Sequence, residues 1–460
     1  MTSIGAFLMA VNTSTLSVAL PVVARHFRAT ATEANWILLS YMLANTVMIL
    51  VFGRLADIFG RRLLYVGGLT VLTVACLASG LAPSPAVLIG LRVLQAIGGA
   101  CILSNTTALL ADAFPPRLLS TALGLNVMLV SSAQVLGPVV GGFFATVLDW
   151  RWVFWFNVPV GAVGVVWAAV TLRKVPSAGS KEPFDLVGAA LSLVVIGSLV
   201  LALSEGGARG WTAPAVLVAG GCFVVSTPLF LWVQRRRTYP LVDLALFGDR
   251  ELAMAFLATF LNSVARFATV ILVSLYVQSV TGASAFHASL QVMAVAVGMM
   301  VASPVAGRIA MRVSARIVST VGMLATCVSL LALAVLIEPG AAWAHFAVPL
   351  AGLGLGSGLF LTPNTSAIMA RVRPTRRGIA NGLRSMLQNA GMVVSTALGL
   401  AIVTSPLSHQ AKAAAYAGQL SHLPHAVLGV FTDAYRFAFV LLAILVAAGT
   451  VASLLRSSRR

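Results

Sequence analysis

Three arginines, Arg92, Arg266 and Arg384, interrupt long apolar runs. A guanidinium keeps its charge and needs a partner or a wet cavity when it sits inside a membrane-length run. Arg92 lies about 9 Å from the near end of its run by helical rise; Gln95, Asn105 and Gln134 are the polar residues expected beside it. Arg266 falls near the middle of its run, with Asn262 one turn earlier on the same face. The 12 acidic residues all fall in turns or near run ends, so no midplane carboxylate balances these charges. That combination suits the binding of neutral or anionic molecules better than of a lipophilic cation. It does not suit catalysis. No acid and base pair, nucleophile constellation or metal cluster occupies a run, so neither enzyme activity, a cofactor nor a metal site is expected. Asn12, Asn364 and Gln388 are further cavity candidates, although interhelical hydrogen bonding explains such residues equally well. His422 and His425 have a spacing that a metal could use, but a solvated loop is the better reading.

The elements that position these residues are membrane helices. Charged residues are 9% of the 460 and hydrophobic residues 59%, a balance that no soluble domain with a polar surface tolerates. The four cysteines lie in apolar runs without close spacing and read as packing residues. The N-terminus enters an apolar run directly and reads as the first spanning helix, not a removable signal. Apolar runs of spanning length number fourteen. The stretch Gly53 to Arg62, Gly-Arg-Leu-Ala-Asp-Ile-Phe-Gly-Arg-Arg, is a charged turn pinned between two of them. Placing it in the cytoplasm puts most Lys and Arg on that face at turn after turn, with both termini on the same side. The net charge of +18 therefore answers anionic headgroups and topology, not nucleic acid.

In that turn Gly53 and Gly60 permit tight passage, and Asp57 can meet a helix N-terminus or a nearby guanidinium. Asp112, at the end of the fourth run, is a plausible partner for Arg61 or Arg62. The alternative is that these charges only set topology; the Gly-x-x-x-Asp spacing favours a part beyond that. Gly307-Arg308-Ile309-Ala310 repeats the start of the turn after the second run of a later set of six. The expected organisation is an N-terminal six-helix bundle over residues 1–172, basic linkers with two inserted helices over 173–250, and a C-terminal six-helix bundle over 251–460. Gly137-Pro138, flanked by Ala133, Gly141 and Gly142, should bend its helix and admit a close neighbour.

Four stretches resemble the major facilitator superfamily, in particular its fourteen-helix drug:proton antiporter branch. They are the Gly53–Arg62 turn, Leu91-Arg92-Val93-Leu94-Gln95-Ala96-Ile97-Gly98-Gly99-Ala100, the Ala133–Gly142 segment, and Asp149-Trp150-Arg151-Trp152 through Gly161. The resemblance implies an all-α integral membrane fold with two pseudo-symmetric bundles. It implies export of a small, drug-like molecule by alternating access, with the proton as coupling ion, from a chain that works as a monomer in the lipid bilayer of the cell membrane. It further implies a conformational latch at Gly53, Asp57, Gly60, Arg61, Arg62 and Asp112, and a part for Arg92 in proton transfer. One departure stands out. Where that branch carries an aspartate early in the first helix, this chain has Asn12, which takes up no proton near neutral pH; carboxylates at the outer helix ends, Asp149 among them, would have to substitute. An importer or uniporter of the same fold, and a receptor without net transport, are the rival readings.

Overall fold

A computed structural model describes residues 2–29, 31–172, 185–238, 240–281, 285–338, 343–404 and 425–454. The long helices, numbered in chain order, are α1 Thr2–His26, α2 Ala31–Phe59, α3 Arg61–Ser79, α4 Pro85–Ala113, α5 Pro116–Val147 and α6 Asn157–Thr171. They continue with α7 Leu186–Arg209, α8 Pro214–Arg236, α9 Arg250–Thr281 and α10 Ala285–Ile309. The last are α11 Ala315–Leu336, α12 Trp343–Arg371, α13 Arg377–Thr404 and α14 His425–Leu454. Among the described residues, 12 helices are long and apolar enough to cross a membrane. The chain is a multi-pass membrane protein.

Local chemistry sets several boundaries. Gly60, at φ 97°, separates α2 from α3 in a backbone region that costs a residue with a Cβ. Ser84 caps α4 by accepting from Val87 N, with Pro85 opening the helix, and Asp185 caps α7 by accepting from Gly188 N at 2.8 Å; both satisfy amides that the helix leaves free.

Because lipid is as apolar as leucine, the helices associate through close packing at small residues. In the first half α1 packs on α5, α2 on α4, α3 on α4 and α3 on α6; in the second α9 packs on α13, α10 on α12, α11 on α12 and α11 on α14. Each pair recurs eight helices later. Glycines make these contacts: a Cβ on Gly98 would lie 2.6 Å from Gly68 O, and one on Gly322 would lie 2.6 Å from Gly356 O.

The most extensive packing between the halves is of α2 on α13 and of α5 on α10, and the eight-helix offset exchanges one for the other. A Cβ on Gly53 would meet Gly378 O at 2.8 Å, and one on Gly307 would meet Ser120 O at 2.6 Å. The Gly-Arg repeat of the sequence is thus a repeat of contact. Helix α7 lies along α2 and α13, with Ile196 and Val200 packed beside Val47 and Met386, while α8 packs on α7. The segment following α8 returns to the bundle: Leu241, Val242 and Leu246 are buried in a cluster that also holds Leu50, Leu110 and Leu123 of the first half and Phe256, Ile368 and Ile379 of the second.

Candidate functional site

At the arginine-rich end, the seam between α2 and α13 is closed by polar bonds. Asp57, in the last turn of α2, is buried and accepts from Gly378 N at 3.1 Å and Ile379 N at 3.0 Å. Its carboxylate thus caps the N-terminus of a helix in the opposite half, where unpaired amides and the helix dipole both favour negative charge. Arg61 donates to Asp57 at 3.0 Å and to Pro374 O at 2.5 Å, and it is ion-paired with Asp112. Asp112 in turn accepts from Arg377 at 3.1 Å, and Arg377 also donates to Ala111 O at 3.1 Å. Two carboxylates of the first half therefore share cations and amides from both halves. Arg62 departs from the expectation that it could serve Asp112, because its guanidinium reaches Ala169 O on α6 at 2.5 Å.

The same end carries Arg376 paired with Asp243 and Arg371 paired with Asp249 and Glu251. Partial burial of Asp249 works to raise its pKa. The hydrogen bond from Arg371 and the N–H of Glu251 outweigh that effect and hold the carboxyl below its ordinary value.

Deeper in the first half, Arg92 is fully buried. It donates to Asn12 Oδ1 at 2.7 Å, Gln95 Oε1 at 2.6 Å and Ile37 O at 3.2 Å, and it lies 4.3 Å from the Tyr41 ring centroid. Asn12 passes the network on to Cys76 Sγ at 3.1 Å, and Gln95 donates to Ser79 Oγ at 2.7 Å. The Gln95 expectation is met, whereas Asn105 instead donates to Cys101 O at 2.7 Å and Gln134 is half-buried on α5. Helical spacing and run length do not point to Asn12, Tyr41, Cys76 and Ser79 as neighbours of Arg92. A signal does exist for one of them, since Asn12 is the polar residue that stands where the resemblance expects an acid.

Along α5 the small residues face α1. A Cβ on Gly137 would collide with Ser14, and one on Gly141 would lie 2.5 Å from Thr15 O. Helix α5 is continuous through residue 138; the side chain of Pro138 and the surroundings of Gly142 lie outside what is described. Asp149 is exposed, accepts from Arg151 N at 2.9 Å and pairs with the Arg151 guanidinium at 3.2 Å. It stands just before the one-turn helix Trp152–Trp155.

In the second half Arg266 is buried at 5% exposure, its guanidinium 4.1 Å from the Phe267 ring centroid. Its Nε has no hydrogen-bond partner among the described residues. Asn262 is fully buried and its amide reaches Met323 Sδ on α11 at 3.6 Å, while Asn364 donates to Thr259 Oγ1 at 2.8 Å and so ties α12 to α9. Both contacts run between helices. Gln388, half-buried, accepts from Arg384 at 3.1 Å. Among the described residues no group of three or more metal-ligating side chains occurs; His422 and the side chain of His425 lie outside them, as does the basic segment from residue 173 to 184.

The sequence profile of the Major Facilitator Superfamily matches residues 2–248 and 255–460. The Stp multidrug resistance protein of Mycobacterium tuberculosis is 32% identical over 413 residues, 88% of this chain and 75% of that protein. The multidrug export protein EmrB of Escherichia coli is 28% identical over 88% of this chain and 78% of its own. The methylenomycin A resistance protein of Streptomyces coelicolor is 29% identical over 91% and 88%. Among solved structures, the proton:xylose symporter XylE superposes with a TM-score of 0.66 at 14% identity, covering 98% of this chain and 93% of that one. The human organic anion transporter MFSD10 superposes at 0.62 with 17% identity, covering 98% and 97%. A chain with paired bundles, glycine-lined seams and a buried arginine network, matched from end to end by this profile, belongs to the Major Facilitator Superfamily of secondary transporters.

Proposed function

We propose that the protein exports small, drug-like molecules from the cytoplasm in exchange for protons. Fourteen spans would be arranged six, two and six, with both termini in the cytoplasm. The observation that carries this reading is the set of bonds that Asp57, Arg61 and Asp112 make to Pro374, Arg377, Gly378 and Ile379. These bonds hold the halves together at the end that the arginines assign to the cytoplasm. They must break and reform for that end to open, so Asp57, Arg61 and Asp112, with Gly53 and Gly60 at the turn, act as the latch of an alternating-access cycle, while Arg62 ties that turn to α6 of its own half. The named activities of the relatives, multidrug and antibiotic resistance, support the direction of transport and the kind of cargo.

For coupling, Arg92 sets the field inside the first half and Asp149 at the outer end supplies the carboxylate, because Asn12 is an amide. Arg266, buried without a carboxylate partner among the described residues, favours neutral or anionic cargo over cations. The test is substrate-induced pH change in proteoliposomes, across neutral, anionic and cationic compounds. Transport with opposite proton movement is expected. Transport of every active compound without any pH response would leave a uniporter and remove the antiport reading.

A further inference from the structure

Arg384, on α13, is buried at 7% exposure. Its hydrogen-bond partners among the described residues are neutral and lie on its own helix: Nε donates to Asn381 Oδ1 at 3.1 Å, Nη1 to Gln388 Oε1 at 3.1 Å and Nη2 to Ser385 Oγ at 3.0 Å. A guanidinium carries five N–H groups, so each terminal nitrogen keeps one N–H beyond these bonds. The residues framing it face the other half. Asn381 donates to Leu103 O at 3.0 Å and Ser104 O at 2.8 Å on α4, and Asn389 approaches Asn45 on α2 at 3.5 Å. One polar stripe of α13, from residue 381 to 389, thus lies on the seam that must rearrange during transport, with an uncompensated positive charge at its centre. Neutral amides and a hydroxyl soften the cost of that charge but do not cancel it. A carboxylate or sulfonate would supply both the missing charge and a planar pair of acceptors.

We infer that Arg384, held in place by Asn381, Ser385 and Gln388, binds the anionic group of the transported molecule, with Asn45 across the seam. This rests on the export reading and assigns its cargo an organic anion. Because the stripe touches both halves, occupation by an anion is felt directly by the bonds from Asn381 to α4.

The experiment uses the purified full chain in lipid nanodiscs with two xanthene dyes of similar shape, anionic fluorescein and cationic rhodamine 123, read by anisotropy. Fluorescein is expected to bind, Arg384→Gln to weaken it at least tenfold, Arg384→Lys to fall between, and rhodamine 123 binding to be no weaker in either variant. Should the variants fail to fold, competition on the unaltered protein decides: benzoate is expected to displace fluorescein and its neutral isostere benzamide not to. The inference is overturned if fluorescein does not bind, if Arg384→Gln binds it equally, or if benzamide competes as well as benzoate. Arg384-dependent binding without uptake into everted vesicles would keep the anion site and remove export. Undiminished fluorescein export by Arg384→Gln would do the reverse.

Discussion

The carboxylate of Asp57 in α2 caps α13 through the backbone N–H of Gly378, 3.1 Å away and 321 residues on in the chain. The contact lies where α2 packs on α13, so the bond ties the sequence's strongest motif to the seam between the halves.

Asp57→Asn keeps the shape but loses the charge and one acceptor oxygen. A hydrogen bond to a charged group contributes about 1.5–3 kcal/mol, so the ratio of closed to open state at this end should fall by about ten- to a hundredfold. Transport in vesicles should fall by at least tenfold while the amount of protein in the membrane stays within twofold of the unaltered chain. Equal transport rates would show that the cap is structural only.

Gly378→Ala tests the approach itself. The added Cβ would lie 2.5 Å from Gly53 O and 2.5 Å from Asp57 Oδ1, and overpacking of this kind costs about 1–3 kcal/mol. Gly67→Ala, which meets nothing within 4 Å, is the matched control. Transport and detergent Tm should both drop in the first variant and be unchanged in the second.

Asn12→Asp places a carboxylate against Arg92, whose Nη1 lies 2.7 Å from Asn12 Oδ1. Nearby positive charge favours the ionised form, and that form can be discharged by a proton on the acidic side. The pH profile of transport should acquire a single-proton step that the unaltered chain lacks. An unchanged profile would separate this network from coupling.

Asp249, held below its ordinary value by Arg371 and Glu251 N, contributes stability above its unfolded pKa and loses it as pH falls through the folded one. Asp249→Asn should therefore lower Tm slightly at pH 7. The difference should shrink below about pH 4. Glu251, 2.7 Å from Arg371, keeps the arginine paired in the variant and bounds the effect.

The class, the order of helices and the motif turn were legible because apolar run length and arginine placement are one-dimensional signals. Partners across the seam were not legible. Arg61 with Asp112 could be paired because Arg61 opens α3 and Asp112 lies in the last turn of α4, at the same end, but the capping of α13 by Asp57 depends on how two bundles meet, which no run length encodes. Arg92 is the intermediate case: its depth was readable, and Gln95 at i+3 followed from helical spacing. The bond to Asn12 required knowing that α1 and α4 are neighbours.

The most direct measurement places spin labels at Arg117, opening α5, and Arg312, just past α10. Both are exposed at the arginine-rich end, in opposite halves, and outside the latch; buried Cys76 and Cys101 stay in place. Pulsed dipolar spectroscopy should give one short distance in the unaltered protein. A second population, longer by roughly 10 Å as expected for a rigid-body rearrangement, should grow in Asp57→Asn. A distance distribution identical in both proteins, with transport nonetheless lost, would contradict a latch on the cytoplasmic seam and, with it, alternating access through the opening of that seam.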